Sequence, residues 1–241
     1  MSPPGRPKGE VLSAQREGVP STPPGRPKGE GRSAQRASAS SAPRRRAKAD
    51  PLGAKREACP SADATRRAAA IRLLVLDVDG VLTDGRLYFG ADGEALKVFD
   101  VRDGHGVKLL REAGIEVAIL SARRSPIVER RARELGIMQV IQGAADKGAS
   151  FADLARASRL APEQCGYVGD DWPDLAALAQ AGFAATVADA APEVRQFAHW
   201  ISVAPGGCGA VRELAEFILR AQGRFEALLR RHSGPAGVSH A

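Results

Sequence analysis

The chain has 241 residues, 44% of them hydrophobic and 26% charged, and a formal net charge of +7. The charge is lopsided: residues 1–60 hold 13 Lys/Arg against 5 Asp/Glu, a net of +8, which leaves 22 against 23 in the other 181, a net of -1. A nearly neutral folded part removes the main argument for a nucleic-acid partner, and three cysteines without a CxxC pair give neither a disulfide framework nor a zinc site.

Residues 1–60 contain ten of the 16 prolines and no Phe, Trp or Tyr. With so little to bury, residues 1–61 are expected to be a disordered basic tail. PPGRPKGE occurs at 3–10 and 23–30 and SAQR at 13–16 and 33–36, a repeat of period 20 that lacks the apolar face a solenoid would stack. The tail reads either as a polyanion tether through Arg44, Arg45, Arg46 and Lys48 or as an unselected extension. No apolar run approaches the roughly 20 residues that span a bilayer, and the N-terminus lacks the apolar core of a secretory signal. A cytoplasmic protein with no membrane partner is expected.

A short helix over Ala62–Ala70 leads into Leu73–Leu76, an unbroken β-prone run that suits a strand covered on both faces. Asp77 and Asp79 follow, spaced so that in extended chain they point to one side with Cα atoms ~6.6 Å apart. Gly80 then lets the backbone approach a ligand. Arg86–Phe99 has two β-prone arms about a GADG turn and reads as a hairpin over the mouth of that strand end, either a lid or an oligomer contact. Helices are expected over Gly106–Ala113, Ile127–Leu135, Asp146–Arg156 and Leu175–Ala181. The intervening strands are Glu116–Leu120, Met138–Ile141, Gln164–Val168, Ala184–Val187 and Trp200–Val203. Val211–Leu229 reads as a long helix with Gly223 as its weak point. The folded domain is placed at 62–223, followed by a polar tail over 224–241 in which His232 and His240 are unstructured.

Strands alternating with helices at this spacing predict an α/β, Rossmann-like fold of three layers, αβα, around a central parallel sheet. Ligands in such folds sit beyond the carboxyl ends of the strands. Asp77, Asp79, Ser121 and Asp170 each follow a strand and Lys147 opens a helix, so five polar groups meet at one edge. Together they fit phosphoryl transfer. Asp77 and Asp170 can hold Mg²⁺ through oxygen, Lys147 can draw charge off a phosphoryl group, and Asp77 can attack phosphorus. Asp79 can serve as acid and then base. Ser121 and the N–H near Gly80 can hold phosphoryl oxygens.

DVDGVLTDG (Asp77–Gly85), LSARR (Leu120–Arg124), Lys147 and VGDD (Val168–Asp171) resemble the four motifs of the haloacid dehalogenase superfamily, in its aspartate-nucleophile phosphatase branch. FDVRDGHGVKLL (Phe99–Leu110), YVGDDWPDL (Tyr167–Leu175), VADAAPEV (Val187–Val194) and GGCGAVREL (Gly206–Leu214) narrow the resemblance to the 3-deoxy-D-manno-octulosonate (KDO) 8-phosphate phosphatases of lipopolysaccharide synthesis. The resemblance implies a capless domain with a hairpin flap and a homotetramer in which a neighbour's tail helps shape the pocket. It also implies Mg²⁺ held by Asp77, the Asp79 carbonyl and Asp170, with Asp77 as nucleophile, Asp79 as acid/base, and Ser121 and Lys147 on phosphate. Substrate-facing residues would be Asp100, Val101, Arg102, Asp103, Gly104, Lys108, Arg123 and Arg131, although Arg131 reads equally as a solvated helix charge. The chain departs from the family in Ser121-Ala122 for Thr-Gly, Asp100 for Asn, and Cys208 where a basic residue is common. Two alternatives stay open, a phosphatase of a nine-carbon ulosonic acid 9-phosphate and a non-catalytic assembly domain.

Overall fold

A computed structural model of the chain describes residues 60–233. The expected basic tail with its repeat, apart from residues 60 and 61, and His240 lie outside the described residues. Helix α1 (Ala62–Ala70) starts where the Ser61 hydroxyl accepts from Ala64 N at 3.1 Å, a side-chain cap on an otherwise orphaned N–H. Strand β1 (Leu73–Leu76) is buried throughout. Leu74 and Leu76 enter one core and Leu73 and Val75 the other, which is why the strand reads as continuous apolar sequence. After β1 comes a two-stranded antiparallel hairpin, β2 (Tyr88–Gly90) and β3 (Gly93–Leu96), turning at Ala91-Asp92.

The rest of the chain alternates: α2 (Val101–Glu112), β4 (Glu116–Ser121), α3 (Pro126–Leu135), β5 (Gln139–Gln142), α4 (Lys147–Ala157), β6 (Cys165–Val168), α5 (Leu175–Leu178), β7 (Phe183–Thr186), α6 (Pro192–Arg195), β8 (Trp200–Ile201), α7 (Ala210–Ala221) and α8 (Phe225–Ser233). Six parallel strands form one sheet in the order β5-β4-β1-β6-β7-β8. Residues of α1, α2, α3 and α7 fill the core on one face, and those of α4, α5 and α6 the other. This is the expected three-layer α/β arrangement. Leu76 pairs with Ile119 on one side and Val168 on the other, so the residues following the three central strands emerge together where the strand order reverses.

Two boundaries differ from the sequence reading. Helix α2 begins at Val101 rather than Gly106, because Asp100 caps it by accepting from Arg102 N at 2.7 Å. Gly104 and Gly106 lie inside this helix as packing residues. A Cβ on Gly106 would stand 2.9 Å from Arg212 Cα of α7, and one on Gly104 would meet the Arg131 guanidinium at 2.3 Å. At the other end, residues after 223 are not a plain tail. Gly223 does end the long helix, with φ at +67°, but α8 follows and places Leu228 in the core, 2% exposed. His232 is helical and lies 3.1 Å from Glu112.

A loop from the C-terminal half underpins the end of β1. Gly207 N donates to Val81 O at 2.9 Å, and a Cβ on Gly206 would lie 1.7 Å from Gly80 O. Among the described residues no helix is long and apolar enough to cross a membrane.

Candidate active site

The ends of β1, β4 and β6 and the start of α4 surround a cleft of about 350 Å³ lined by Asp77, Asp79, Ser121, Arg123, Lys147, Asp170 and Asp174, with Gly85 and Leu87 at the foot of the hairpin. Asp77 is tied to the sheet by its N–H, which donates to Val168 O at 3.0 Å. Lys147 enters from the first turn of α4, whose N-terminus Asp146 caps by accepting from Ala149 N. Its ammonium is buried and lies 2.8 Å from Asp77 Oδ2 and 2.6 Å from Asp174 Oδ1. The other Asp174 oxygen accepts from Asp170 N at 3.1 Å and Asp171 N at 3.2 Å, which shapes the loop carrying Asp170. Below that loop, Thr186 donates to Gly169 O at 2.6 Å. Gly80, with φ at +89°, is obligatory: a Cβ there would sit 2.1 Å from Asp170 Oδ2.

Asp79 points to the outer part of the cleft. Its carboxylate pairs with the Lys97 ammonium and, at 3.6 Å, with Arg123. The Lys97 side chain is 1% exposed and also pairs with Glu94 at 3.0 Å. Glu94 in turn accepts from the Ser125 hydroxyl, so the hairpin is latched to the start of α3. The Ser121 hydroxyl accepts from Arg123 N at 3.2 Å and faces the cleft.

Acid outweighs base in the inner cluster. Oxygens of Asp77, Asp170 and Asp174 lie within 4.8 Å of one another, against the single ammonium of Lys147. Burial, followed by the Asp174 charge, pushes Asp77 up to about 7 despite Lys147. Burial, then Asp77 and Asp174, does the same to Asp170, also to about 7. Burial alone would lower Lys147, but Asp77 and Asp174 outweigh it and hold the ammonium above its ordinary range. Burial, with Asp174 next, drives the Tyr167 phenol far above its ordinary range, so it acts as a donor. A crowded, all-oxygen donor set with surplus negative charge fits a hard divalent cation such as magnesium, which would relieve the repulsion.

Asp77, Asp79, Gly80, Ser121, Arg123, Lys147 and Asp170 are brought together as the sequence implies. The other expected substrate contacts are not at this cleft. Asp103 is corrected: it is 1% exposed and accepts from Gly209 N at 3.2 Å and Arg212 N at 2.8 Å, fastening α2 to the start of α7. Asp100 is a helix cap that also pairs with Arg102 at 2.7 Å, and Arg102 donates to Cys208 O. Val101 is 82% exposed, Gly104 is buried beneath Arg131, and Lys108 is exposed on α2. Arg131 stands 5.6 Å over the Phe99 ring and lines a separate groove with Val101 and Ile127. Conversely, Asp174 and Lys97 were not singled out. Asp174 had a signal, four residues after Asp170 in YVGDDWPDL. Lys97 had none, since only the fold of the hairpin brings it to Asp79.

The haloacid dehalogenase-like hydrolase family matches residues 87–182. The chain is 46% identical over 164 residues to the 3-deoxy-D-manno-octulosonate 8-phosphate phosphatase of Yersinia pestis, covering 68% of this chain and 88% of the relative. Among solved structures, the Moraxella catarrhalis phosphatase in complex with magnesium ion, phosphate ion and KDO superposes with a TM-score of 0.68 at 40% identity, covering 69% of this chain and 96% of that one. The cobalt-bound Haemophilus influenzae enzyme gives 0.67 at 42%, covering 69% and 97%. The folded chain, with its parallel sheet and strand-end carboxylates, belongs to the 3-deoxy-D-manno-octulosonate 8-phosphate phosphatase family of haloacid dehalogenase-like hydrolases.

Proposed function

We propose that the chain is a magnesium-dependent phosphatase that converts KDO 8-phosphate to KDO and phosphate for lipopolysaccharide synthesis, with the catalytic domain beginning at residue 62. The observation that carries this reading is the Asp77–Lys147–Asp174–Asp170 cluster at the ends of β1 and β6, in a chain so closely related to enzymes of that name. Lys147 holds one oxygen of Asp77, so the other can attack phosphorus, forming an aspartyl phosphate as the ester P–O bond breaks. Asp79 gives a proton to the departing C8 oxygen, then takes one from the water that hydrolyses the acyl phosphate and regenerates Asp77. Ser121, the backbone near Gly80 and Lys147 hold the phosphoryl oxygens, and Arg123 faces the sugar acid. Magnesium held by Asp77, Asp170 and the Asp79 carbonyl, when bound, would neutralise phosphoryl charge.

The hairpin supports a further part of the reading. Its exposed Leu87, Phe89, Leu96 and Val98 are suited to contact with copies of the same chain in a homotetramer. We place the enzyme in the cytoplasm, where its phosphorylated substrate would be made. No particular observation favours a nine-carbon substrate or a non-catalytic role.

The test is phosphate release from KDO 8-phosphate, a nine-carbon ulosonate 9-phosphate and a hexose phosphate, with and without Mg²⁺. Wild type should prefer KDO 8-phosphate, lose activity with chelator, and be inactive as Asp77→Asn. Turnover surviving in Asp77→Asn would sink the mechanism, and a preference for hexose phosphate would sink the substrate assignment.

A further inference from the structure

Tyr167 lies in the middle of the sheet on β6, fully buried, and the chemistry above gives it no task. Its hydroxyl donates to Asp174 Oδ1 at 2.6 Å. The same oxygen accepts from Lys147 Nζ at 2.6 Å, and that nitrogen is 2.8 Å from Asp77 Oδ2. The phenol therefore stands three contacts, by way of Asp174 and Lys147, from the Asp77 carboxylate on which the reaction turns. The other Asp174 oxygen holds the backbone of Asp170 and Asp171, so rotation of this one carboxylate would disturb both the ammonium and the Asp170 loop. The Tyr167 ring is seated independently of the hydroxyl, edge-on to Phe151 with centroids 5.6 Å apart. A phenylalanine would keep that packing and lose only the donor.

We propose that Tyr167 is a positioning residue: through Asp174 its hydroxyl fixes Lys147 on Asp77 and sets the Asp170 loop to receive a divalent cation. A carboxylate given two donors on one oxygen and two N–H groups on the other has one orientation. Remove the hydroxyl, and Asp174 loses one of its four donors, so that it can tilt with Lys147 and draw it away from Asp77. The inference rests on the phosphatase reading, but its effect on cation binding can be measured without turnover.

The experiment compares wild type, Tyr167→Phe, Asp174→Asn and the double variant. With any phosphate ester that wild type hydrolyses, Tyr167→Phe should lower kcat about 10- to 100-fold and leave KM within about twofold, as expected when a group supporting a ligand or catalyst is lost. Titrating Mg²⁺ into metal-free protein and following Tm should give a half-saturating concentration raised about tenfold. In the Asp174→Asn background, adding Tyr167→Phe should change neither quantity more than about twofold, because the route runs through Asp174. Phe151→Leu, which loosens the ring but keeps the hydroxyl, should lower Tm without moving the Mg²⁺ midpoint. The proposal is overturned if Tyr167→Phe matches wild type in kcat and Mg²⁺ midpoint, if its effect persists in the Asp174→Asn background, or if Phe151→Leu reproduces it. If wild type releases phosphate from no ester, the phosphatase reading fails, while the Mg²⁺ titration still decides the role of Tyr167.

Discussion

At the scale of single residues, the inner carboxylates make stability and metal binding depend on pH together. Asp77 and Asp170 are raised from an ordinary 3.8 to about 7, so between those values the folded chain holds protons that the unfolded chain has released. Their contribution to stability is fully present below the lower value and is lost as pH rises through the upper one. A divalent cation takes the place of those protons, so its benefit runs the other way. Calorimetry on metal-free protein from about pH 5 to about pH 8 should show Tm falling with pH, Mg²⁺ restoring more of it at the alkaline end, and Asp170→Asn flattening the metal-free slope. An unchanged slope in Asp170→Asn would assign the dependence to other groups. The outer carboxylate Asp79 is differently placed, since Lys97 and Arg123 both bear on it.

At the scale of elements, what was legible followed from proximity to strand ends. Asp77, Ser121 and Asp170 directly follow β-prone runs, and Lys147 follows Asp146 at a helix start, so chain order alone aligns them. Asp174 escaped because it lies in a 3₁₀ turn, where an aspartate reads as a cap. Of the residues expected to face substrate over Asp100–Gly104, Asp103 is turned toward α7 because α2 starts at Val101 rather than Gly106. The long helix expected over Val211–Leu229 is broken at Gly223 into α7 and α8, and Leu228 of α8 is buried although it lies beyond the expected domain boundary at 223. Leu228→Ala should cost about 2–5 kcal/mol, as for other buried leucines. Urea unfolding measures that loss, and the Mg²⁺ midpoint should stay at the wild-type value because α8 does not line the cleft.

At the scale of the whole molecule, the hairpin carries apolar side chains outward, with Phe89 65% exposed, while its base closes on the cleft. A polar substitution there should separate assembly from folding. For the proposed homotetramer, Phe89→Asp is expected to shift the species seen by analytical ultracentrifugation toward monomer while Tm of the monomer changes by only a few degrees. A tetramer of unchanged stability would exclude the hairpin as the contact.

The loop carrying Gly206 and Gly207 also bears on how the protein comes into being. Asp103 and Gly209, joined by a hydrogen bond, are 106 residues apart in the chain, and the turn that positions Asp77 rests on the same late segment. Contacts of such separation close slowly. A ribosome-bound chain thus displays its aspartates and Lys147 well before the ground beneath them is laid. A chain that stops short of Gly206 and Gly207 lacks the brace for the turn after β1.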